Sequence, residues 1–83
     1  MPTILRERGY RFFFYMADRY EPPHIHVQRE DYSAKLWLDP LEIAFVEGFR
    51  AHDCQDILEI TRDHLDEFRI AWYKTFGGLN SNE

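Results

Sequence analysis

Cysteine is almost missing from this chain of 83 residues, which contains Cys54 and no other. A single cysteine excludes an intrachain disulfide framework and a cysteine-based zinc finger, and it suits a reducing compartment. Long apolar runs are missing too: none could cross a bilayer, and the first residues lack the apolar stretch of a signal peptide. We therefore expect a cytoplasmic protein that makes no contact with a membrane.

The chain is too short for two independent cores. Its composition, 45% apolar and 17% aromatic, nevertheless supplies large side chains to bury, which argues against intrinsic disorder. We expect one domain over residues 1–79, followed by a frayed C-terminal tail at 80–83.

Charge is distributed unevenly behind the net value of −5. Residues 1–29 carry five basic and three acidic side chains, whereas the rest of the chain carries five basic and twelve acidic ones. Attraction of the whole protein to nucleic acid is therefore disfavoured. An arginine-bearing surface in the basic N-terminal third can still contact RNA phosphates.

Short runs of β-branched and aromatic residues, separated by turn residues, predict four or five mostly antiparallel strands. We expect them at residues 3–7, 10–16, 24–29, 33–38 and 41–46, the last with a short helix as the alternative. Residues 18–23 should form a loop, because Pro22 and Pro23 fix the backbone and remove two hydrogen-bond donors.

From about residue 51 to 76 the apolar period changes to that of an amphipathic helix, which Gly77 and Gly78 would end. The fold class is therefore α+β, with one long C-terminal helix packed on one face of the sheet. Strand alternation directs Phe12, Phe14 and Met16 toward the helix, together with Ile25, Val27, Leu36 and Leu38.

One helix leaves the second face of the sheet open. The side chains assigned to this face are Arg11, Phe13, Tyr15, His24, His26, Lys35 and Trp37. Such a face is more apolar than a monomer usually exposes, so it predicts a homodimer interface or a contact surface for another protein.

His24 and His26 are the residues in which chemistry is expected. Histidines at i and i+2 of a strand share a face, so both imidazoles can reach one divalent metal such as zinc, with Asp18 or Glu21 as candidate third ligands.

In the alternative interpretation no cofactor is needed. The two imidazoles act as base and acid of a metal-independent ribonuclease, with Arg11 or Lys35 neutralising a phosphate and Tyr15 or Trp37 stacking on a base. A purely structural role, in which the two histidines bond loop carbonyls, is the third interpretation.

The sequence also resembles a small bacterial family known as domain of unknown function 4160. The resemblance rests on Pro2-Thr3-Ile4, Gly9 to Tyr15, Glu21-Pro22-Pro23-His24-Ile25-His26-Val27, Ala34-Lys35, Trp37-Leu38 and Ala71-Trp72. Family members usually enter the last helix through Gly-Phe-Ser, whereas this chain has Gly48-Phe49-Arg50 and so lacks the serine that would cap the helix.

The resemblance implies a stand-alone bacterial protein that works with a small protein encoded nearby. It favours one component of a toxin–antitoxin pair, acting on RNA or on that protein partner. Two alternatives follow from the residues: a non-catalytic protein-interaction or homodimerisation module, and a divalent-metal-binding domain that uses His24 and His26.

Overall fold

A single antiparallel sheet forms the frame of the molecule in the computed structural model, which describes residues 3–77. Consecutive strands are neighbours, in the order β1-β2-β3-β4-β5. The strands are β1 (Thr3–Glu7), β2 (Tyr10–Phe13), β3 (His24–Arg29), β4 (Tyr32–Leu38) and β5 (Leu41–Glu47). The α+β class and the five-stranded sheet are thereby confirmed, whereas the expected tail at 80–83 lies outside the described residues.

Short turns give this simple order. In the β1–β2 turn, Arg8 and Gly9 have positive φ values of 54° and 85°. A two-residue hairpin turn needs such values to match the right-handed twist of its strands. After β5, Gly48 has a φ of 95°, and a side chain at this position would collide with the ring of Tyr32. Glycine is therefore needed where the chain leaves the sheet.

The second strand is shorter than expected. It ends at Phe13, and Met16–Tyr20 form a 3-10 helix inside the segment that was expected to be strand and loop. The carboxylate of Asp18 accepts a hydrogen bond from the Tyr15 amide at 2.8 Å, which closes this turn. Met16 is consequently 60% exposed instead of facing the core, so its expected position is wrong.

Two helices, α1 (Ala51–Asp63) and α2 (Leu65–Phe76), replace the single long helix. The break lies at His64, whose φ of −112° and ψ of 18° are not helical. Its imidazole is held by two carboxylates: Nε2 lies 3.0 Å from Glu7 on β1, and Nδ1 lies 2.6 Å from Glu67. These contacts link the break between the two helices to β1 and to α2.

The start of α1 keeps one half of a capping box. Asp53 accepts a hydrogen bond from the Arg50 amide at 3.2 Å, whereas no side chain at position 50 takes the place of the serine that would accept from the first-turn amides. Gly77 ends α2 with a φ of 78°, as the sequence predicted. Within residues 3–77, neither helix has the length and apolar character required to span a membrane.

Both helices cover the same face of the sheet. The fully buried side chains on this side include Phe12, Phe14, Ile25, Val27, Leu36, Leu38, Ile57, Ile60 and Phe68. Phe12 meets Phe68 with ring centroids 5.4 Å apart. Except at Met16, the expected inward positions of the sheet are therefore confirmed, and the opposite face remains for the candidate site.

Candidate functional site

Strand pairing brings the expected residues of the open face into a row. Phe13 lies opposite His26, His26 opposite Lys35, and Lys35 opposite Phe45. Neighbouring strands are about 4.8 Å apart, so the side chains of this row are neighbours on one face. His24 belongs to the adjoining row, where it lies opposite Trp37.

Asp18 completes a cluster with the two histidines. The 3-10 helix places Asp18 Oδ1 3.1 Å from His24 Nε2, and both carboxylate oxygens lie near His26 Nε2, Oδ2 at 3.1 Å and Oδ1 at 3.2 Å. The ligand atoms of these three residues all lie within 4.8 Å of one another, as one ion requires. Glu21, the other candidate, instead pairs with Lys35 at 2.5 Å.

His24 is completely buried, contrary to the expectation that both histidines are partly accessible. Its ring lies between two tryptophans, with centroid distances of 5.6 Å to Trp37 and 5.1 Å to Trp72 of α2. Trp72 of α2 therefore packs against the first residue of β3. This contact helps to bury an imidazole that strand alternation alone places on the open face.

The two nitrogens of His24 have different surroundings. Nδ1 lies 2.9 Å from the Pro22 carbonyl oxygen, which can only accept, so Nδ1 carries the hydrogen. In the neutral ring Nε2 then carries a lone pair and no hydrogen. It is buried and has no hydrogen-bond partner among the described residues, although Asp18 Oδ1 lies 3.1 Å away. Two acceptors facing each other repel, and a cation between them removes the repulsion.

His26 is the accessible member of the cluster, with 18% of its side chain exposed. Its ring stacks beside Phe13 and meets Tyr15 edge-on. Burial lowers the pKa of His26, and although the contact with Asp18 acts in the opposite direction, the pKa stays below the ordinary histidine value. At neutral pH the ring is accordingly neutral, and its Nε2–H donates to the Asp18 carboxylate. Nε2 becomes available as a ligand in the other tautomer, in which Nδ1 carries the hydrogen.

Asp18 is held in its ionised form. Burial favours the protonated acid, but the hydrogen bond from the Tyr15 amide and the nearby histidines outweigh it, so the pKa of Asp18 lies below its ordinary value. A carboxylate and two neutral imidazoles are the usual oxygen and nitrogen ligands of a divalent transition metal.

The aromatic residues of the open face are less exposed than expected. Phe13 is only 3% exposed and Trp37 is partly buried, while Tyr15 remains 44% exposed. Arg11 lies over the Phe13 ring at 4.3 Å and donates to Thr3, so it is directed away from the histidine cluster. Side-chain contacts within the face account for this burial.

A groove of about 340 Å³ adjoins the cluster. Its lining includes the expected residues Phe13, Tyr15, His26 and Lys35, and also Gln28, Asp31, Ser33 and Phe45. Phe45 was missed because simple alternation groups it with Ile43, which lies opposite the buried Leu36. The register shift between Lys35 and Leu36 adds one residue to β5 and turns Phe45 to the open face.

A second group of possible ligands, His52, Asp53 and Asp56, lies at the start of α1. Asp53 already receives hydrogen bonds from Arg29 at 2.9 Å and from the Tyr10 hydroxyl at 3.1 Å. The Arg29 bond is the main cause of a lowered Asp53 pKa. This carboxylate therefore ties α1 to the sheet, and the cluster around Asp18 is the better metal site.

Comparison with known proteins gave one match. The family model described as a domain of unknown function (DUF4160) matches residues 9–73, which include the 3-10 helix, strands β2 to β5 and all three residues of the cluster. Neither the curated proteins nor the solved structures gave a match. Because the match covers most of the chain, it shows that this protein belongs to the DUF4160 family.

Proposed function

We propose that this chain is a metal-binding domain in which Asp18, His24 and His26 hold one divalent transition metal ion. The observation that carries the proposal is the buried Nε2 of His24, which faces the Asp18 carboxylate without a hydrogen bond among the described residues. The Pro22 carbonyl fixes the imidazole with this nitrogen free, which is how outer partners orient metal-binding histidines.

Zinc is the first metal to test. Two imidazole nitrogens and one carboxylate are a common protein ligand set for zinc. Zinc is not redox-active, and it accepts a water molecule as its fourth ligand. Calcium and magnesium prefer oxygen ligands throughout, so two histidines make them poor candidates.

The experiment uses the two tryptophans as reporters. Because Trp37 and Trp72 both contact the His24 ring, coordination of Co²⁺ should quench their fluorescence and give visible absorption bands of the bound ion. Protein treated with a chelator and then dialysed is titrated with Co²⁺, and Zn²⁺ is added in competition. We expect one ion per chain.

Variants separate the proposed site from other metal-binding groups. Asp18→Asn keeps the size of the side chain and should weaken binding by about 100-fold or more, as His26→Gln should, because each removes a ligand. The matched control is His52→Gln, which alters the exposed cluster of α1 and should bind as the unaltered protein does. The proposal would be contradicted if His52→Gln lost as much metal affinity as the ligand variants, or if the unaltered protein bound no metal.

A second candidate function is acid–base cleavage of RNA without a metal. The observation that favours it is the contact of His26 with Asp18, since a carboxylate that orients an imidazole is a common catalytic pair. His24 is fully buried, so His26 and the exposed Tyr15 would have to share the proton transfers. If this second candidate is correct, the protein could act on RNA as one component of a toxin–antitoxin pair.

The two candidates differ in their response to a chelator. A ribonuclease of this kind should cleave RNA in excess chelator and arrest growth when expressed alone, and His26→Gln should abolish both effects. A protein that binds metal and leaves RNA intact excludes this candidate.

A further inference from the structure

The proposed metal centre is open on one side. Its three described ligands leave at least one coordination position of a tetrahedral ion free. The side chain of His24 is fully buried and that of Asp18 is 9% exposed, whereas His26 is 18% exposed and lines the groove. A further ligand of the metal must therefore approach from the groove.

The end of the groove next to the proposed metal centre carries one lysine. Lys35 lies directly across from His26, and it is the one lysine or arginine in the groove lining. Its ammonium group lies 4.5 Å from the centroid of the Trp37 ring and pairs with Glu21, whose side chain is 48% exposed. A metal ion beside this lysine favours an oxyanion, which can bind the metal through one oxygen and Lys35 through another.

The far end of the groove has the opposite character. Asp31, in the turn before β4, forms no ion pair within residues 3–77, and Ser33 and Gln28 lie beside it in the lining. A free carboxylate repels an anion but accepts hydrogen bonds from amino groups. Asp31 is four residues from Lys35, at most about 13 Å along an extended chain.

An aromatic side chain lines the groove beside Lys35. Phe45 is 52% exposed and lies across from Lys35, where a flat ring system can stack on it. Base–aromatic stacking of this kind is common where proteins bind single nucleotides. The groove therefore combines an oxyanion site, a stacking surface and an acceptor for amino groups within the length of one nucleotide.

We propose that the groove binds a nucleoside monophosphate, free or at the end of an RNA chain, with its phosphate on the metal and Lys35 and its base between Phe45 and Asp31. This inference rests on the proposed metal function. Asp31 should favour bases that carry an exocyclic amino group, so cytosine should bind better than uracil, which has a carbonyl oxygen at that position.

The test uses the Co²⁺-loaded protein, whose visible spectrum reports ligands that bind the metal directly. Cytidine monophosphate is compared with uridine monophosphate, cytidine and inorganic phosphate. We expect cytidine monophosphate to shift the spectrum and to bind at least tenfold more tightly than the other three. An oligocytidine with a 5′ phosphate is added to identify the source: tighter binding than the mononucleotide points to an RNA end, and equal binding to a free nucleotide.

Two variants test the two ends separately. Lys35→Met should weaken binding of phosphate and of cytidine monophosphate about tenfold without weakening Co²⁺ binding, since Lys35 is not a metal ligand and its positive charge opposes a cation. Asp31→Asn should remove the preference for cytosine over uracil. His52→Gln, on the other side of the molecule, is the control and should change neither.

The outcomes are distinguishable. If Co²⁺ binds but no nucleotide shifts its spectrum, this inference is wrong and the metal function stands. If inorganic phosphate binds as tightly as cytidine monophosphate, the groove is an anion site and the nucleotide assignment is wrong. If Co²⁺ does not bind at all, the proposed function fails and this inference fails with it.

Discussion

At the scale of single residues, two histidines of one strand have unequal surroundings. His24 and His26 share a face of β3, yet His24 is fully buried between two tryptophans while His26 borders the groove. If a metal is bound, His24 is therefore the shielded ligand and His26 the ligand beside the open position. In a metal-free enzyme only His26 could meet a substrate.

The best single-residue test of the core is Phe68→Ala. Phe68 is fully buried against Phe12, so removing its ring should lower the free energy of unfolding by about 3–5 kcal/mol through lost contacts and a cavity. Chemical denaturation followed by circular dichroism measures this. Ile70→Ala on the same helix is the control, because Ile70 is 55% exposed and its truncation should cost far less. Similar losses in both variants would contradict the packing described.

At the scale of elements, the break between α1 and α2 depends on an ionisable side chain. The hydrogen bond to Glu67 is the main cause of a raised His64 pKa, and the bond to Glu7 adds to it, although burial acts in the opposite direction. The folded protein therefore binds a proton at His64 more tightly than the unfolded chain does.

This linkage predicts a pH dependence of stability. Because the folded pKa is raised, the contribution of His64 is fully present below the unfolded pKa of about 6.5 and is lost as pH rises through the folded value. His64→Gln should therefore cost more stability at about pH 6 than at about pH 9. Thermal unfolding at the two pH values measures the difference.

Glu67→Gln is the companion variant, since it removes the partner with the largest influence on His64. It should reduce the same pH dependence without abolishing it, because the contact with Glu7 remains. A cost of His64→Gln that is equal at both pH values would show that His64 acts by packing alone.

At the scale of the whole molecule, the proposed metal joins separate parts of the chain. Asp18 comes from the 3-10 helix and both histidines from β3, and the ring of His24 also touches α2. A metal that binds the folded state alone should therefore stabilise the entire fold.

Thermal unfolding with and without Zn²⁺ checks this prediction. At a free concentration 100 times the dissociation constant, Zn²⁺ should add about 2.7 kcal/mol to the free energy of unfolding. For a domain of this size the midpoint should rise by about 10 to 20 °C. Asp18→Asn should show no such rise, whereas His52→Gln should behave as the unaltered protein. An unchanged midpoint in the unaltered protein would contradict a folded-state metal site.

Local patterns in the sequence determined the sheet. Alternation placed Ile25, Val27, Leu36 and Leu38 inward, and two-residue turns joined three of the four pairs of consecutive strands as hairpins. The same alternation placed His24 and His26 together on the other face. These properties depend on neighbours within a few residues, which is why they can be predicted from the sequence.

The tertiary structure decided which of these residues form a site. Asp18 reaches both histidines only because a 3-10 helix folds it back over β3, and α2 buries His24 from a distant part of the chain. The bulge in β5 and the bend at His64 likewise come from pairing and contacts between separate elements. A local pattern predicts on which face of the sheet a side chain lies. What covers that face depends on residues that are distant in the sequence and are brought there by tertiary packing.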